Sequence, residues 1–301
     1  MATDALAGTA RPAWLKVRVR NSQGLGFVES VLRRCSVETV CEQADCPNRL
    51  ECHGKGIATF LILGRTCTRS CGFCAVGKGP ARPPDPDEPG NVARAARELG
   101  LKHVVITSVT RDDLPDGGAR HFAETIRAVR LQNEGVTIEV LTPDFRADRR
   151  ALREVVGARP EIVNHNVETV PRLYPRIRPQ ADYTRSLLVL ATVKAEGPGL
   201  LTKSGIMAGF GETRDEVLEV LRDLRGAGCD YVTIGQYLSP SALHYPVAEY
   251  VTPDVFDEYR RAAEGLGFKG VASAPLVRSS YNAREMHEGR LARSVSSEVL
   301  K

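Results

Sequence analysis

Two periodicities alternate along this chain. Short strand candidates recur at 59–63, 103–109, 137–141, 161–165, 200–208 and 230–236, the first of them an apolar run. Between them, apolar residues return every three or four positions over 91–99, 118–132, 149–156, 184–195 and 213–227, which predicts helices with one face turned to a core. The last of these opens with Thr213 and, three residues on, Glu216, a capping box; it ends at Gly226 and Gly228, where a helix readily stops. A shorter amphipathic helix is expected over 24–34. The stretch 170–179, VPRLYPRIRP, is broken by prolines and should not form one continuous helix.

Six strand-then-helix units predict a parallel sheet, because parallel neighbours need a crossover between them. Regular repetition favours a barrel-like curl over a flat doubly wound sheet, yet eight full units would need more chain. The expected fold is therefore α/β: a partial (β/α)6 TIM-like barrel, open along one side, over residues 59–267, with extensions at 1–58 and 268–301. In such folds the loops after the strands carry the site. The proline-rich segment 81–89, ARPPDPDEP, reads as a connection within the barrel, since the alternation continues on both sides.

Composition narrows the class. A chain of 301 residues can bury a sizeable core, and its net charge of +4 is too mild for a nucleic-acid footprint, though it suits an acidic protein partner. The chain holds no apolar run of membrane-spanning length, and its first twenty residues hold no hydrophobic signal core. A reducing cytoplasm, where thiols stay free for metal, is the expected location.

The chemistry lies in the cysteines. Seven of the eight fall between Cys35 and Cys74, and six form two triplets of unlike spacing. Cys67, Cys71 and Cys74 sit in CTRSCGFC, directly after the first strand. Cys41, Cys46 and Cys52 sit in CEQADCPNRLEC. Dense disulfides belong to small secreted domains, and structural zinc favours paired Cys-x-x-Cys groups that close a four-ligand shell, whereas each group here stops at three. Three thiolates on one loop can bind an iron–sulfur cubane and leave one iron open for chemistry.

A Cys-x3-Cys-x2-Cys triplet after a first strand resembles the radical S-adenosylmethionine superfamily, as does aromatic Phe73 before the last cysteine. The resemblance implies a [4Fe-4S] cluster on Cys67, Cys71 and Cys74. Its open iron would chelate the methionine part of S-adenosylmethionine, whose reductive cleavage gives a 5′-deoxyadenosyl radical. The first triplet resembles the auxiliary-cluster motif of lipoyl synthases. So do the landmarks ATFLILGRTCTRSCGFC, TRDDLPDGGA, HNVETVPRLY, TKSGIMAGFGET, TIGQYLSPS and VRSSYNA, which together cover most of residues 40–283. That family resemblance implies a second [4Fe-4S] cluster on Cys41, Cys46 and Cys52. Ser280, with Arg278 beside it, would be its fourth ligand. A serine oxygen is a hard ligand beside soft thiolates, so its bond to iron should be the easiest to replace.

The implied reaction inserts sulfur at C6 and C8 of an octanoyl chain on a carrier lysine, with two S-adenosylmethionine molecules consumed and the auxiliary cluster as sulfur donor. No tuned side-chain base can take a proton from such a methylene, so a radical is required. Implied partners are octanoylated lipoyl domains or the glycine-cleavage H protein, an electron donor such as flavodoxin or ferredoxin, and an iron–sulfur carrier for cluster repair; neither nucleic acid nor membrane is expected.

Candidate cofactor contacts fall at strand ends. Arg111 and Asp113 follow the second strand, and Asn166 and Glu168 follow the fourth. Gly205, Gly209 and Glu212 resemble a glycine-containing superfamily motif near the adenine, and Lys203 is a candidate partner for a carboxylate. Cys35 reads as a partly buried free thiol, Cys229 as core, and His53 as a neighbour of Cys52 that is not a ligand. The arginine-rich stretch 146–153 reads as a solvated helix face that could help dock an acidic carrier. Biotin synthase and methylthiotransferases also insert sulfur by radical chemistry, but their auxiliary-cysteine patterns are not visible here. A zinc-stabilised nucleic-acid-binding protein and a plain electron carrier are the rivals from other classes.

Overall fold

Each of the six expected strands forms close to its expected limits, and the sheet then adds a further parallel strand. The computed structural model describes residues 11–16 and 24–291. Most of the stretch read for a signal, and the far end of the carboxy-terminal extension, lie outside the described residues.

Helix α1 (Leu25–Cys35) leads to strand β1 (Glu38–Thr39) and two short helices, α2 (Val40–Gln43) and α3 (Arg49–Gly54). Strand β2 (Thr59–Ile62) is followed by a small parallel ribbon, β3 (Thr66–Cys67) with β4 (Gly77–Lys78). Alternation then runs through α4 (Glu88–Glu98), β5 (His103–Ser108), α5 (Ala119–Gln132), β6 (Thr137–Leu141), α6 (Arg149–Gly157) and β7 (Ile162–Asn164). After the proline-broken stretch, which holds only a 3-10 turn and α7 (Tyr174–Ile177), come α8 (Tyr183–Glu196), β8 (Leu201–Ala208), α9 (Arg214–Gly226), β9 (Tyr231–Gln236), α10 (Pro253–Gly265), β10 (Gly270–Ser273) and α11 (Ala283–His287).

The sheet order is β1-β2-β5-β6-β7-β8-β9-β10, with β1 antiparallel to β2 and every other pair parallel. The two end strands do not pair, so the barrel stays open. The unexpected strand β10 falls beyond residue 267, inside the stretch read as a carboxy-terminal extension. Its sequence, GVAS, is too short and small-residued to stand out as an apolar run.

Helix ends follow the polar signals. Thr213 and Glu216 form the full capping box of α9, Asp148 caps α6, and Asp182 caps α8. The helices bury their apolar faces against the outside of the sheet in two large clusters, one over its first half and one over its second. Inside the barrel the lining is more polar. Lys203 donates to Glu139 at 2.8 Å, and the His103 ring lies 3.2 Å from the same carboxylate. Helix α11 packs against both β10 and β5, and its His287 meets His103 edge-on at 6.0 Å. Among the described residues no helix is long and apolar enough to cross a membrane.

Candidate active site

A cavity of about 530 Å³ opens at the carboxy-terminal ends of the strands. Its wall takes residues from nearly every strand-end loop: Thr107–Thr110 after β5, Leu141–Asp144 after β6, Asn166 and Glu168 after β7, Gly205 on β8, Gly235 at the end of β9, and Ser279 and Ser280 after β10. Cys67, Cys71 and Cys74 face it from the loop after β2. Cys41 and Cys46 face it from α2 and the turn before α3. Two segments that the sequence keeps separate thus share one chamber.

The second triplet's loop is held from several sides. The Cys67 Sγ accepts from the backbone N–H groups of Arg69 and Thr110, each at 3.4 Å. Gly72 N donates to Ile177 O at 2.8 Å, while Tyr245 N donates to Gly72 O at 2.8 Å. His244 Nε2 lies 3.2 Å from Cys74 O, and Phe73 packs on Phe210, which stacks on Tyr237. Arg69 is almost fully buried yet completely engaged, bonded to Asp112 and Asp144 by four short hydrogen bonds. The loop is therefore braced by the protein on several sides.

The thiols' electrostatics fit a cationic occupant. Burial pushes the Cys52 thiol up to about 12, with the charges of Cys41 and Cys46 adding to it. Burial likewise raises Cys41. In the other triplet burial raises Cys74 to about 11 despite a backbone donor at Val76, and Cys71 and Cys67 add to the rise. Burial raises Cys71 too, against the opposing charge of Arg178. Within each triplet the thiolates disfavour one another, so they need a shared positive charge to form together; an iron–sulfur cluster supplies one. Among the described residues no three His, Cys, Asp or Glu side chains converge on one ion-sized point. All eight cysteines are free thiols.

The end of β7 offers the polar wall for an organic ligand. His165 is buried, and its Nδ1 lies 2.9 Å from Thr142 O, which leaves Nε2 without a partner. Burial, reinforced by the nearby Arg178 charge, lowers this imidazole to about 4, so it is neutral at physiological pH. Asn166 Nδ2 donates to Glu168 at 3.1 Å, while its Oδ1 is buried and unpartnered. Glu168 holds a left-handed backbone at φ 66°, a strained conformation for a non-glycine residue; its N donates to Gly205 O and its O accepts from Met207 N. A Cβ at Gly205 would stand 2.8 Å from Asn166 Oδ1 and 2.9 Å from Thr233 Oγ1, so glycine keeps this wall open.

Asn166, Glu168, Gly205 and Ser280 therefore meet the cysteines at one cavity, while the other candidates stand outside its lining. Lys203 points into the barrel beneath the cavity, where Glu139 neutralises it. Arg111 spans Asp113 and the Leu63 carbonyl, tying the loop after β5 to the end of β2. Glu212 accepts from the N–H groups of Gly209 and Phe210, and Gly209 adopts φ 108° in the same turn. All five stand outside the lining, and each charged group among them already has a counter-charge or backbone donors.

Cys52 lies behind the lining on α3. Cys35 is completely buried, deeper than expected, and Cys229 is core, its thiol pushed up to about 12 by burial. His53 is buried outside the lining and makes no side-chain hydrogen bond in the structure. Arg149 and Arg153 both pair with Glu196, which removes part of the positive charge from the helix face considered for docking. His165 and Arg178 were not among the candidates read from sequence. His165 stands in HNVETVPRLY beside Asn166, and its place in that motif was the available signal. Arg178 belongs to the proline-broken stretch, where no periodicity places a side chain; it donates to the carbonyls of Asn166 and Val167.

Comparison with known proteins agrees with this architecture. Residues 61–236 match the family model described as the Radical SAM superfamily. The chain is 55% identical to a lipoyl synthase of Alkaliphilus metalliredigens over 92% of its own length and 96% of the relative's. It is 58% identical to that of Caldanaerobacter subterraneus subsp. tengcongensis over 91% and 95%. Among solved structures, methylornithine synthase has a TM-score of 0.55 at 15% identity, covering 81% of this chain and 74% of that one. The hydrogenase maturase HydG of Carboxydothermus hydrogenoformans gives 0.55 at 16% identity, covering 70% and 52%; both likenesses concern the fold alone. With relatives of this identity spanning nine-tenths of it, the chain belongs to the lipoyl synthase family of the radical SAM superfamily.

Proposed function

We propose that this protein inserts two sulfur atoms, at C6 and C8, into an octanoyl chain carried on a lysine of a partner protein, forming the lipoyl group. The observation that carries the reading is the single cavity faced by Cys67, Cys71 and Cys74 from one side and by Cys41, Cys46 and Ser280 from another. When bound, two [4Fe-4S] clusters and S-adenosylmethionine supply the electron, the hydrogen-abstracting radical and the sulfide.

The chain's own residues then have distinct tasks. Cys67, Cys71 and Cys74 hold one cluster on a loop braced through Gly72 and Cys74, and three protein ligands leave one iron for the cofactor. Asn166 and Glu168 offer acceptors to its amino and hydroxyl groups, with Gly205 leaving room for close approach. Neutral His165 adds an acceptor at Nε2. Cys41, Cys46 and Cys52 hold the second cluster, with Ser280 as the weaker fourth ligand. Apolar wall residues such as Leu61, Leu141 and Met207 exclude water and match an aliphatic chain. The protein's contribution is mostly positioning: a methylene has no acidic proton, so hydrogen abstraction depends on distance and alignment.

The carrier is an octanoylated lipoyl domain or the glycine-cleavage H protein, the electron donor is a flavodoxin or ferredoxin, and an iron–sulfur carrier rebuilds the second cluster. The test is to incubate the anaerobically reconstituted protein with reductant, S-adenosylmethionine and an octanoylated carrier peptide, and then weigh the peptide. Gain of two sulfur atoms is expected. Deoxyadenosine without sulfur gain would move the substrate elsewhere, and neither product would refute the radical reading.

A further inference from the structure

Asn48 stands between the second and third cysteines of the first triplet, at the amino-terminal cap of α3, where asparagine ordinarily satisfies the first backbone N–H groups. It makes no cap bond. Its side chain is 2% exposed, and Nδ2 donates instead to Leu276 O at 2.7 Å, 228 residues away. One turn along the same helix, Glu51 accepts from the Tyr281 hydroxyl at 3.2 Å. These two bonds bracket residues 276–281, the segment carrying Ser279 and Ser280.

The opposite side of that segment lies against the barrel. Gln236 N donates to Pro275 O at 3.0 Å, and a Cβ at Gly235 would collide with the Val277 carbonyl. The serine turn is therefore gripped between β9 and α3, and Asn48 is the grip's buried polar contact on the cysteine side. An asparagine that gives up its cap to reach a distant carbonyl fixes where that carbonyl lies.

We propose that Asn48 is a positioning residue that holds the Ser279–Ser280 turn against the first cysteine triplet, and so sets how readily the serine oxygen engages and leaves a metal centre held there. The inference rests on Ser280 as the fourth ligand of that centre. A hydroxyl is a poor ligand beside thiolates, so its occupancy depends on how closely the chain confines it. Loss of one buried hydrogen bond shifts such a confinement about tenfold.

The test uses the full chain with Cys67, Cys71 and Cys74 all changed to alanine, so that only the first triplet carries iron. Two quantities are followed: release of iron to a ferrous chelator, and backbone hydrogen exchange over 276–281. Asn48→Ala should speed both about tenfold while leaving exchange in β5 to β8 unchanged. Ser280→Ala should speed iron release, and Asn48→Ala should add nothing further in that background, because it acts through the serine. Additive effects, or parental behaviour of Asn48→Ala where Ser280→Ala is fast, would overturn the proposal. Parental iron release in Ser280→Ala would overturn the ligand assignment and the proposal with it, and the exchange data would still report separately whether Asn48 holds the segment. If Asn48→Ala does not fold, Tyr281→Phe, which loses only the hydroxyl on Glu51, should accelerate both readouts by a smaller factor; parental values there would count against the proposal.

Discussion

Changing Lys203 to methionine should damage the stability of the protein and leave its cofactor site intact. The lysine and Glu139 side chains are 1% and 0% exposed and 2.8 Å apart inside the barrel. Burial by itself drives the Glu139 carboxyl upward; Lys203, helped by His103, outweighs that and holds it at about 2, below its ordinary 4.5. Methionine keeps much of the volume but leaves the carboxylate facing only His103 at 3.2 Å. Removing one member of a buried pair costs about 3–5 kcal/mol, a large share of the roughly 5–15 kcal/mol that holds a domain together. The expected result is a fall in melting temperature on the order of 10 °C by calorimetry. Glu139→Gln combined with Lys203→Met should recover much of the loss, because no buried charge is then left alone. A carboxyl held below its unfolded value stabilises the fold above about pH 4.5 and ceases to as pH falls toward about 2. In the single variant burial is opposed only by His103, so this acid-dependent loss should shrink. Equilibrium dialysis should find S-adenosylmethionine affinity within about twofold of the parent, since Lys203 lies beneath the cavity lining. A variant that melts normally but binds the cofactor tenfold more weakly would refute this placement.

Three further outcomes follow from the site. Alanine at Cys67, Cys71 or Cys74 should abolish deoxyadenosine formation, whereas alanine at Cys41, Cys46 or Cys52 should spare it and stop sulfur insertion; lipoyl product at the parental rate from the latter would remove the sulfur-donor role. His165 is held at about 4 against an ordinary 6.5, so the unfolded chain binds its proton more tightly. Stability should drop by about 3 kcal/mol as pH falls from 6.5 toward 4. His165→Gln should flatten the slope of melting temperature against pH between 7 and 5, and an unchanged slope would assign the acid loss to other groups. Gly205→Ala places a methyl 2.8 Å from Asn166 Oδ1, and cofactor affinity should fall about tenfold, with the melting temperature lowered by roughly a few degrees from overpacking. Unaltered affinity would show that Asn166 can turn aside without cost to binding.

Most of the barrel was legible because its signals are local. The six expected strands are short and largely buried, and several crossover helices carry a cap of their own, as Asp148 does for α6, Asp182 for α8, and Thr213 with Glu216 for α9. What escaped was short or polar. Strand β10 has four small residues and is stabilised by its ladder with β9, a tertiary contact. The pairing of Lys203 escaped for a related reason: a charged residue near a strand end carries no local sign of its partner, Glu139, which lies 64 residues away and meets it inside the barrel.

The cysteine triplets could be read from spacing, but their sharing of one chamber could not. That depends on contacts between segments far apart in sequence. The antiparallel step of β1 onto β2 lays the first triplet's helices on the barrel rim, and the Asn48–Leu276 and Tyr281–Glu51 bonds bring the serine turn from the other end of the chain. Neither bond has a local signature, because an asparagine before a helix reads as a cap and a tyrosine near the carboxy terminus reads as surface. The same long-range closure explains the placement of reaction parts. Strand-end loops and the end of α7 hold the loop of the second triplet by hydrogen bonds on several sides, a fixed placement that suits the radical-forming role proposed for it. The first triplet hangs on short helices and a few side-chain bonds, a construction that can open locally without unfolding the barrel. Under the proposed function, a second centre that gives up its sulfide would need that freedom, and a centre that only cycles electrons would not.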